Sequence, residues 1–352
     1  MPNLFTAAVL ITVIFLVITI ADVVTNKLIT KGTKIKTVIA CLLIMASALG
    51  ECVGVYTNGA PVSFIVPHKL AKLVEFSLAP GIGVAAAIAY GDPKRPKLAV
   101  GLVVAHALFE CAAMPFGWVF SIDAQNVYHR ESLYLIYVAA FILATAYGFI
   151  SIIQNGRAYQ ADVDSVLLLI LLMLVVGIGI QFVYSDIKID YLCITIGNMM
   201  FSIRHCKLIL QVDAVTKLLN RRCYDVNIAD MGSDAVILFF DVDKFKQIND
   251  TYGHSVGDLC LRNVAQQLRQ VYRKNGLCYR IGGDEFCVIL RDGLEKVEEL
   301  NQAFASAINA MRAEDSRMPT VSQGYACYKA GVSHMQNVIE EADAMLYRNK
   351  NA

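Results

Sequence analysis

Long apolar runs fill residues 1–210, whereas shorter ones alternate with polar segments over residues 211–352. In the first half, seven stretches approach the roughly 20 residues that a bilayer core requires. They cover residues 4–25, 36–57, 68–90, 97–119, 131–153, 165–184 and 189–209. The third and fourth are interrupted by Glu75, Pro80, His106, Glu110 and Pro115, and the two prolines are expected to kink their helices. The first stretch lacks a basic start and is too long for the apolar part of a cleaved signal peptide, which favours a retained helix. After the last stretch no Gly/Ser/Pro linker appears, and Ile203 to Asp213 continues the helical pattern. Ile203, Leu208 and Val212 form a narrow apolar stripe, too short to define a coiled coil. The expected organisation is an all-α seven-span membrane domain over residues 1–202, a helical coupling segment over 203–212 and a soluble domain over 213–352.

The soluble half alternates strand and helix signals. Val236-Ile-Leu-Phe-Phe240 is a continuous apolar run, the pattern of a buried strand. Strands are expected over 235–241, 277–281, 286–290 and 320–327, and helices over 221–230, 244–250, 257–273, 293–312 and 335–349. Gly282 and Gly283 separate two strand-like runs, which predicts a tight hairpin with φ > 0 and space for a ligand against the backbone. The hairpin makes the sheet mixed, so an α+β fold with an antiparallel core is expected rather than a doubly wound one.

Composition supports this division. The chain is 56% hydrophobic and 17% charged, with mean hydropathy +0.51, too apolar for one large soluble core. A net charge of +1 gives no case for a nucleic-acid partner. Lys27, Lys31, Lys34 and Lys36 lie in or beside the first connection, Lys94, Arg95 and Lys97 at the third, Arg157 in the fifth, and Arg204 and Lys207 at the exit. Asp123, Asp186 and Asp190 fall in the fourth and sixth connections. The positive-inside rule then puts the N-terminus outside and the C-terminal domain in the cytoplasm. Tyr56, Trp118, Tyr128 and Tyr184 fit an outer aromatic belt. The ten cysteines form no C-x-x-C pair and no zinc spacing.

Acids inside apolar spans are costly and face a partner or a cavity. At about 1.5 Å per residue, Glu51, Glu75 and Glu110 fall at a similar depth, about 20 Å from the cytoplasmic ends. His106 lies one turn from Glu110 on the same helix face. These four are candidates for a pocket that opens outward to a small molecule or proton, against the alternative of neutral packing groups bonded to one another.

Candidate chemistry concentrates in two segments of the soluble half. One is Asp241-Val-Asp243 at the end of the buried strand, followed by Lys244-Phe-Lys-Gln-Ile-Asn249 and Gly257-Asp258. The other is Arg280-Ile-Gly-Gly-Asp-Glu-Phe286. Carboxylates at a strand end beside carboxylates on a hairpin suit Mg²⁺, which takes a few protein oxygens and keeps the rest of its shell for phosphate and water. The two segments resemble the GGDEF family, the bacterial diguanylate cyclases, over roughly residues 213–350. Asp213 to Arg222 resembles the motif that leads into the family's domain, with Lys217 where glycine is usual. The seven-span layout loosely resembles the sensor regions of some bacterial histidine kinases.

The resemblance implies a fold similar to nucleotidyl cyclases and polymerase palms. It implies Mg²⁺, with Mn²⁺ as an alternative, held by Asp241, the Val242 carbonyl and Asp284. Asp284 and Glu285 would be the catalytic acids, and Asn249 and Asp258 the pair that reads guanine. Gly282 and Gly283 would let the nucleotide approach, and Phe245, Lys246 and Lys350 would contact the phosphates. Asp243 and His254 would be supporting groups. The implied reaction joins two GTP molecules into cyclic di-GMP and two pyrophosphates in a homodimer at the bacterial inner membrane. Three departures stand out. The family's R-x-x-D feedback motif is represented by Arg273 with Gly276 in the acidic position; the Gly-Arg-Asn usual after the last helix is missing; and the stretch between Leu290 and Thr320 is short. The alternative is an inactive receptor that binds GTP or a dinucleotide.

Overall fold

The computed structural model describes residues 2–27, 29–158, 165–183 and 188–351. Tyr184 and Asp186 lie outside the described residues. The chain divides into two compact units, Met1–Lys207 and Leu208–Ala352.

The first unit is built from helices α1 (Pro2–Thr25), α2 (Lys31–Thr57), α3 (Ile65–Tyr90) and α4 (Pro96–Ala113). A short hairpin of β1 (Phe120–Ile122) and β2 (Tyr128–Arg130) follows, then α5 (Tyr134–Ala158), α6 (Ser165–Val183) and the start of α7 (Asp190–Gln211). Helices thus occupy all seven expected positions, but the expected count of seven spans is corrected. Among the described residues, five helices are long and apolar enough to cross a membrane, over Phe5–Thr25, Lys31–Thr57, Val62–Tyr90, Pro96–Phe116 and Tyr134–Gly156. The described apolar stretch of α6, Ser165–Gly177, is shorter, and α7 carries Asp190, Asn198, Arg204, His205 and Lys207. Pro80 lies inside a helix that continues to Tyr90. Pro115 does not kink α4 but sits in the 3₁₀ turn Met114–Phe116 that ends it, as a residue lacking an amide proton can do.

Small residues set the approach of these helices. A Cβ on Gly148 of α5 would come within 2.7 Å of the Gly83 carbonyl oxygen of α3, so the two backbones touch as small-residue membrane interfaces allow. The hairpin was not foreseen. Its turn is held by Asn126, a buried residue with φ 62°. The Asn126 amide donates to the carbonyls of Thr57 (2.7 Å) and Ala60 (3.0 Å), and its oxygen meets His68 Nδ1 at 3.0 Å.

The second unit contains the end of α7, then α8 (Arg221–Ala229), β3 (Ala235–Val242), α9 (Phe245–Tyr252), α10 (His254–Tyr272), β4 (Gly276–Arg280), β5 (Glu285–Leu290), α11 (Val297–Glu314), β6 (Val321–Tyr328) and α12 (Met335–Lys350). The sheet order is β4-β5-β3-β6. All three neighbouring strand pairs are antiparallel, so the expected mixed sheet is corrected. The parallel pairing is an isolated bridge between Leu219 and Tyr279. Every residue of β3 is buried, and its two-residue period feeds two cores. Val236, Leu238, Phe240 and Val242 pack with Leu261, Leu268 and Phe304 from α10 and α11. Ala235, Ile237 and Phe239 pack with Tyr224 of α8 and Val338, Ala342 and Leu346 of α12.

The leading motif is pinned by Asn220, whose side chain caps α8 by accepting from the Cys223 amide at 3.1 Å. Ile203 and Leu208 do not share an exposed stripe, since Ile203 is 45% exposed and Leu208 only 5%. Lys217 adopts φ 59°, a left-handed conformation that costs a residue with a Cβ about 1 kcal/mol or more. A glycine there removes that strain at the expense of some unfolded-state entropy. Lys217→Gly is expected to raise the stability of residues 203–352 by roughly 0.5–1 kcal/mol, which urea unfolding of both proteins would measure.

Candidate active site

Asp241 emerges where the buried strand β3 ends. It pairs in register with Glu285 of β5 on one side and Ser322 of β6 on the other. Its alternation with Ile237 and Phe239 turns it toward the α12 face. The neighbouring Val242 amide donates to the Asp284 carbonyl at 3.1 Å, which ties the hairpin tip to the end of β3. Asp241, Asp284 and Glu285 therefore meet at one rim of the sheet, with Asp241 buried, Asp284 half-buried and Glu285 exposed. Ser322 donates to Asp243 at 2.7 Å.

The glycines of the hairpin do not act as expected. Neither Gly282 nor Gly283 is among the residues with positive φ. A Cβ on Gly282 would meet the side chain of Glu285, 3.1 Å from its carboxyl carbon, which that exposed side chain can relieve by swinging aside. Gly283 faces open space, since a Cβ there would have nothing within 4 Å.

A second rim is made by the start of α9 and of α10. Lys244, with φ 54°, turns the chain into α9 at Phe245. The first-turn amides of a helix, here those of Phe245 and Lys246, have no carbonyl partner within the helix and suit an anion. Asn249 rests its side chain on Gly257 of α10, where any Cβ would collide with the amide. That glycine lets α9 and α10 close, and Asp258 follows it directly. Gly257 is thus a positioning residue, a role that its place in the sequence motif does not disclose. His254 is the exposed first residue of α10.

Lys350 donates to Asp241 Oδ1 at 2.7 Å. That bond, with Asp284 and Asp243 also in reach, raises the lysine's pKa above its ordinary value. The Lys350 ammonium thus sits on one rim carboxylate, with two more within electrostatic reach. Among the described residues, no set of three His, Cys, Asp or Glu side chains forms a complete metal cage. The oxygens that are present at the rim are of the kind Mg²⁺ takes, since that ion needs one or two protein carboxylates and keeps the rest of its shell for water and phosphate.

The hairpin is braced from the leading motif. Arg280 donates to Asp213 at 2.9 Å and to the Gly283 carbonyl at 2.7 Å. Asp213 also accepts from the Thr216 amide (2.8 Å) and hydroxyl (2.7 Å). Burial pushes the Asp213 pKa up, but the Thr216 and Arg280 bonds outweigh it and leave the pKa below its ordinary value.

Residues 210–352 match the family described as "Diguanylate cyclase, GGDEF domain". The C-terminal unit is a GGDEF domain. Over 127 residues the chain is 36% identical to the probable diguanylate cyclase DgcJ of Escherichia coli (strain K12), covering 30% of this chain and 26% of that protein. Over 150 residues it is 36% identical to the diguanylate cyclase DosC of the same strain, covering 39% of this chain and 32% of that protein. The chain thus spans about a quarter to a third of the length of these relatives. Among solved structures, the GGDEF domain of DgcB from Caulobacter crescentus in complex with c-di-GMP is 30% identical, covering 40% of this chain and 90% of that one with a TM-score of 0.36. The position of the family's feedback acid, Gly276, is sterically closed in this GGDEF domain. A Cβ there would lie 2.9 Å from the Ile289 carbonyl carbon and the Leu290 Cα.

The four candidate sensor residues of the first unit have two sets of ionic partners among the described residues. Glu75 accepts from Lys72 at 2.8 Å, and Glu51 lies 3.4 Å from Lys188. Glu51 is within electrostatic reach of Glu75, Lys72 and Asp190, so these acids form one charged cluster. His106 and Glu110 form another, 3.5 Å apart on α4, with His106 Nε2 also 3.2 Å from the Phe76 carbonyl. Glu110 is fully buried, and neither carboxyl oxygen has a hydrogen-bond partner among the described residues. Lys72, Lys188 and Asp190 were missed as partners, although a lysine inside the third apolar run was visible in the sequence. A cavity of about 330 Å³ lies beside the first cluster, with Arg130, Tyr134, Tyr137 and Asp190 at its polar part and Val138 and Phe141 among its apolar lining. None of the four expected residues lines it.

For Asp213 the depressed pKa means a stabilising contribution that is complete above about pH 4 and is lost as pH falls through the lower folded-state value. Asp213→Asn is therefore expected to destabilise residues 203–352 by about 1–2 kcal/mol at pH 7. The difference should shrink below pH 4, as denaturant titrations at both pH values would reveal.

Proposed function

We propose that the GGDEF domain is a diguanylate cyclase, condensing two GTP molecules into cyclic di-GMP with release of two pyrophosphates. The observation that carries this reading is the pairing of Asp241 with Glu285 in one antiparallel register, with Asp284 tied to Val242 beside them. Asn249, whose side chain rests on Gly257, and Asp258, the next residue of α10, are suited to guanine, since a carboxylate accepts from N1–H and N2–H while an amide complements it. Phe245 and Lys246 offer helix-start amides to the phosphates. Gly282 and Gly283 keep the hairpin open to the nucleotide.

Asp241, Asp284 and the Val242 carbonyl would hold Mg²⁺ or Mn²⁺, which when bound activates the attacking hydroxyl and offsets charge on the phosphates. Asp284 receives the proton of the 3′-hydroxyl, and Glu285 supports the charged rim. Positioning and electrostatics provide most of the acceleration. One domain holds one GTP, so two copies of the chain must face each other for the reaction to close the ring. The closed position of Gly276 argues against product feedback there.

The helical unit anchors the enzyme as a multi-pass protein of the bacterial cytoplasmic membrane. Five spans, like seven, put the two ends on opposite sides, and the lysines of the first and third connections support an outside N-terminus and a cytoplasmic GGDEF domain. Residues 1–202 serve as the sensor region, 203–212 as the coupling segment and 213–352 as the cyclase. Glu51, Glu75, His106 and Glu110 remain the candidate sensor groups, now as two clusters, and the cavity beside the first is the best seat for a small ligand.

Full-length protein in nanodiscs with Mg²⁺ and GTP is expected to form cyclic di-GMP, read by mass spectrometry. Asp284→Ala should reduce the rate about a hundredfold or more. GTP binding without product, even after forced dimerisation, would favour the inactive receptor. Val138→Trp, which fills the sensor cavity, is expected to change the basal rate about fivefold; an unchanged rate would remove the cavity from signalling.

A further inference from the structure

Lys350 and a divalent cation require the same oxygen. The Lys350 ammonium lies 2.7 Å from Asp241 Oδ1, on an acid whose side chain is only 13% exposed, against 42% for the lysine. Asp241 is fixed by strand pairing on both sides. The end of α12 is fixed as well, because Asn349 donates to the Gln323 carbonyl of β6 at 2.7 Å and Ala342 and Leu346 are buried under the sheet. The partly exposed stem of Lys350 is the mobile part, a four-carbon chain carrying a compact charge. The contact is thus imposed by two rigid elements and can be broken by one side-chain rotation.

We propose that Lys350 is an internal counter-ion of the metal site. It neutralises Asp241 until a divalent cation binds, is displaced as the cation enters, and is thereby freed toward the triphosphate. The destination of the lysine rests on the cyclase reading; the displacement is a matter of this chain and the cation alone. Two positive charges cannot share Oδ1, so the lysine weakens metal binding while no nucleotide is bound. Phosphate then stabilises the displaced lysine, and metal and nucleotide each favour the other by the same factor. The coupling discourages the acids from retaining a metal without substrate. A lysine that served only to touch phosphate would leave metal affinity in the absence of nucleotide unchanged.

The test is a Mn²⁺ titration of the full chain in phosphatidylcholine nanodiscs without nucleotide, with free Mn²⁺ read by electron paramagnetic resonance. Lys350→Gln is expected to bind Mn²⁺ about tenfold more tightly than the unaltered chain, equivalent to about 1.4 kcal/mol. Lys350→Arg, which keeps the charge, should stay near the unaltered affinity, and adding Asp241→Asn to Lys350→Gln should abolish the gain. Equal or weaker binding by Lys350→Gln, or a gain that survives Asp241→Asn, would overturn the proposal. No GTP is present, so a failure of the cyclase reading shows in the synthesis assay and not in this titration.

Discussion

The burial of β3 is the constraint on which the second unit depends. All eight of its residues are enclosed, four of them packing under α10 and α11 and others under α8 and α12. Such a strand cannot slip by one residue without exchanging its two cores. The pairing with β5 and β6 therefore sets Asp241 at the rim, opposite Glu285 and Ser322. The chemistry of the site is placed by apolar packing several residues away.

The same logic explains the bracing of the hairpin. A tip carrying two adjacent acids has little to hold it by packing. Arg280 supplies that hold by joining the Gly283 carbonyl to Asp213, and Asp213 follows α7 by two residues. One guanidinium thus joins Asp213 to the hairpin. That gives the leading motif a positioning role as well as a structural one.

In the helical unit, charge is accommodated by pairing. Lys72 with Glu75 and Lys188 with Glu51 place opposite charges together away from solvent, an arrangement that offsets part of the desolvation penalty. Glu110 is different, since among the described residues its ionic partner is His106, 3.5 Å away. The ring of Phe76 stacks on Tyr137 with centroids 4.4 Å apart. The Phe76 carbonyl meets His106.

The period of each element was legible in the residues, because burial on both faces, one face or none leaves a direct mark on composition. The four strands of the GGDEF domain and its helices were legible to within a few residues, and so were the two segments that carry its acids. Long apolar runs likewise announced a membrane unit, although the spans number five by length and apolarity among the described residues. Tertiary structure alone decided which distant groups meet. Lys350 lies 109 positions from Asp241, and only the packing of α12 under the sheet brings its ammonium to that carboxylate. The partners of Glu51 and Glu75, Lys188 and Lys72, likewise depend on how helices turn their faces, which equal depth along each helix does not specify. The antiparallel core was expected, but the direction of the remaining strand pair and the hairpin held by Asn126 were hidden for the same reason: pairing direction and buried side-chain bonds depend on partners far along the chain.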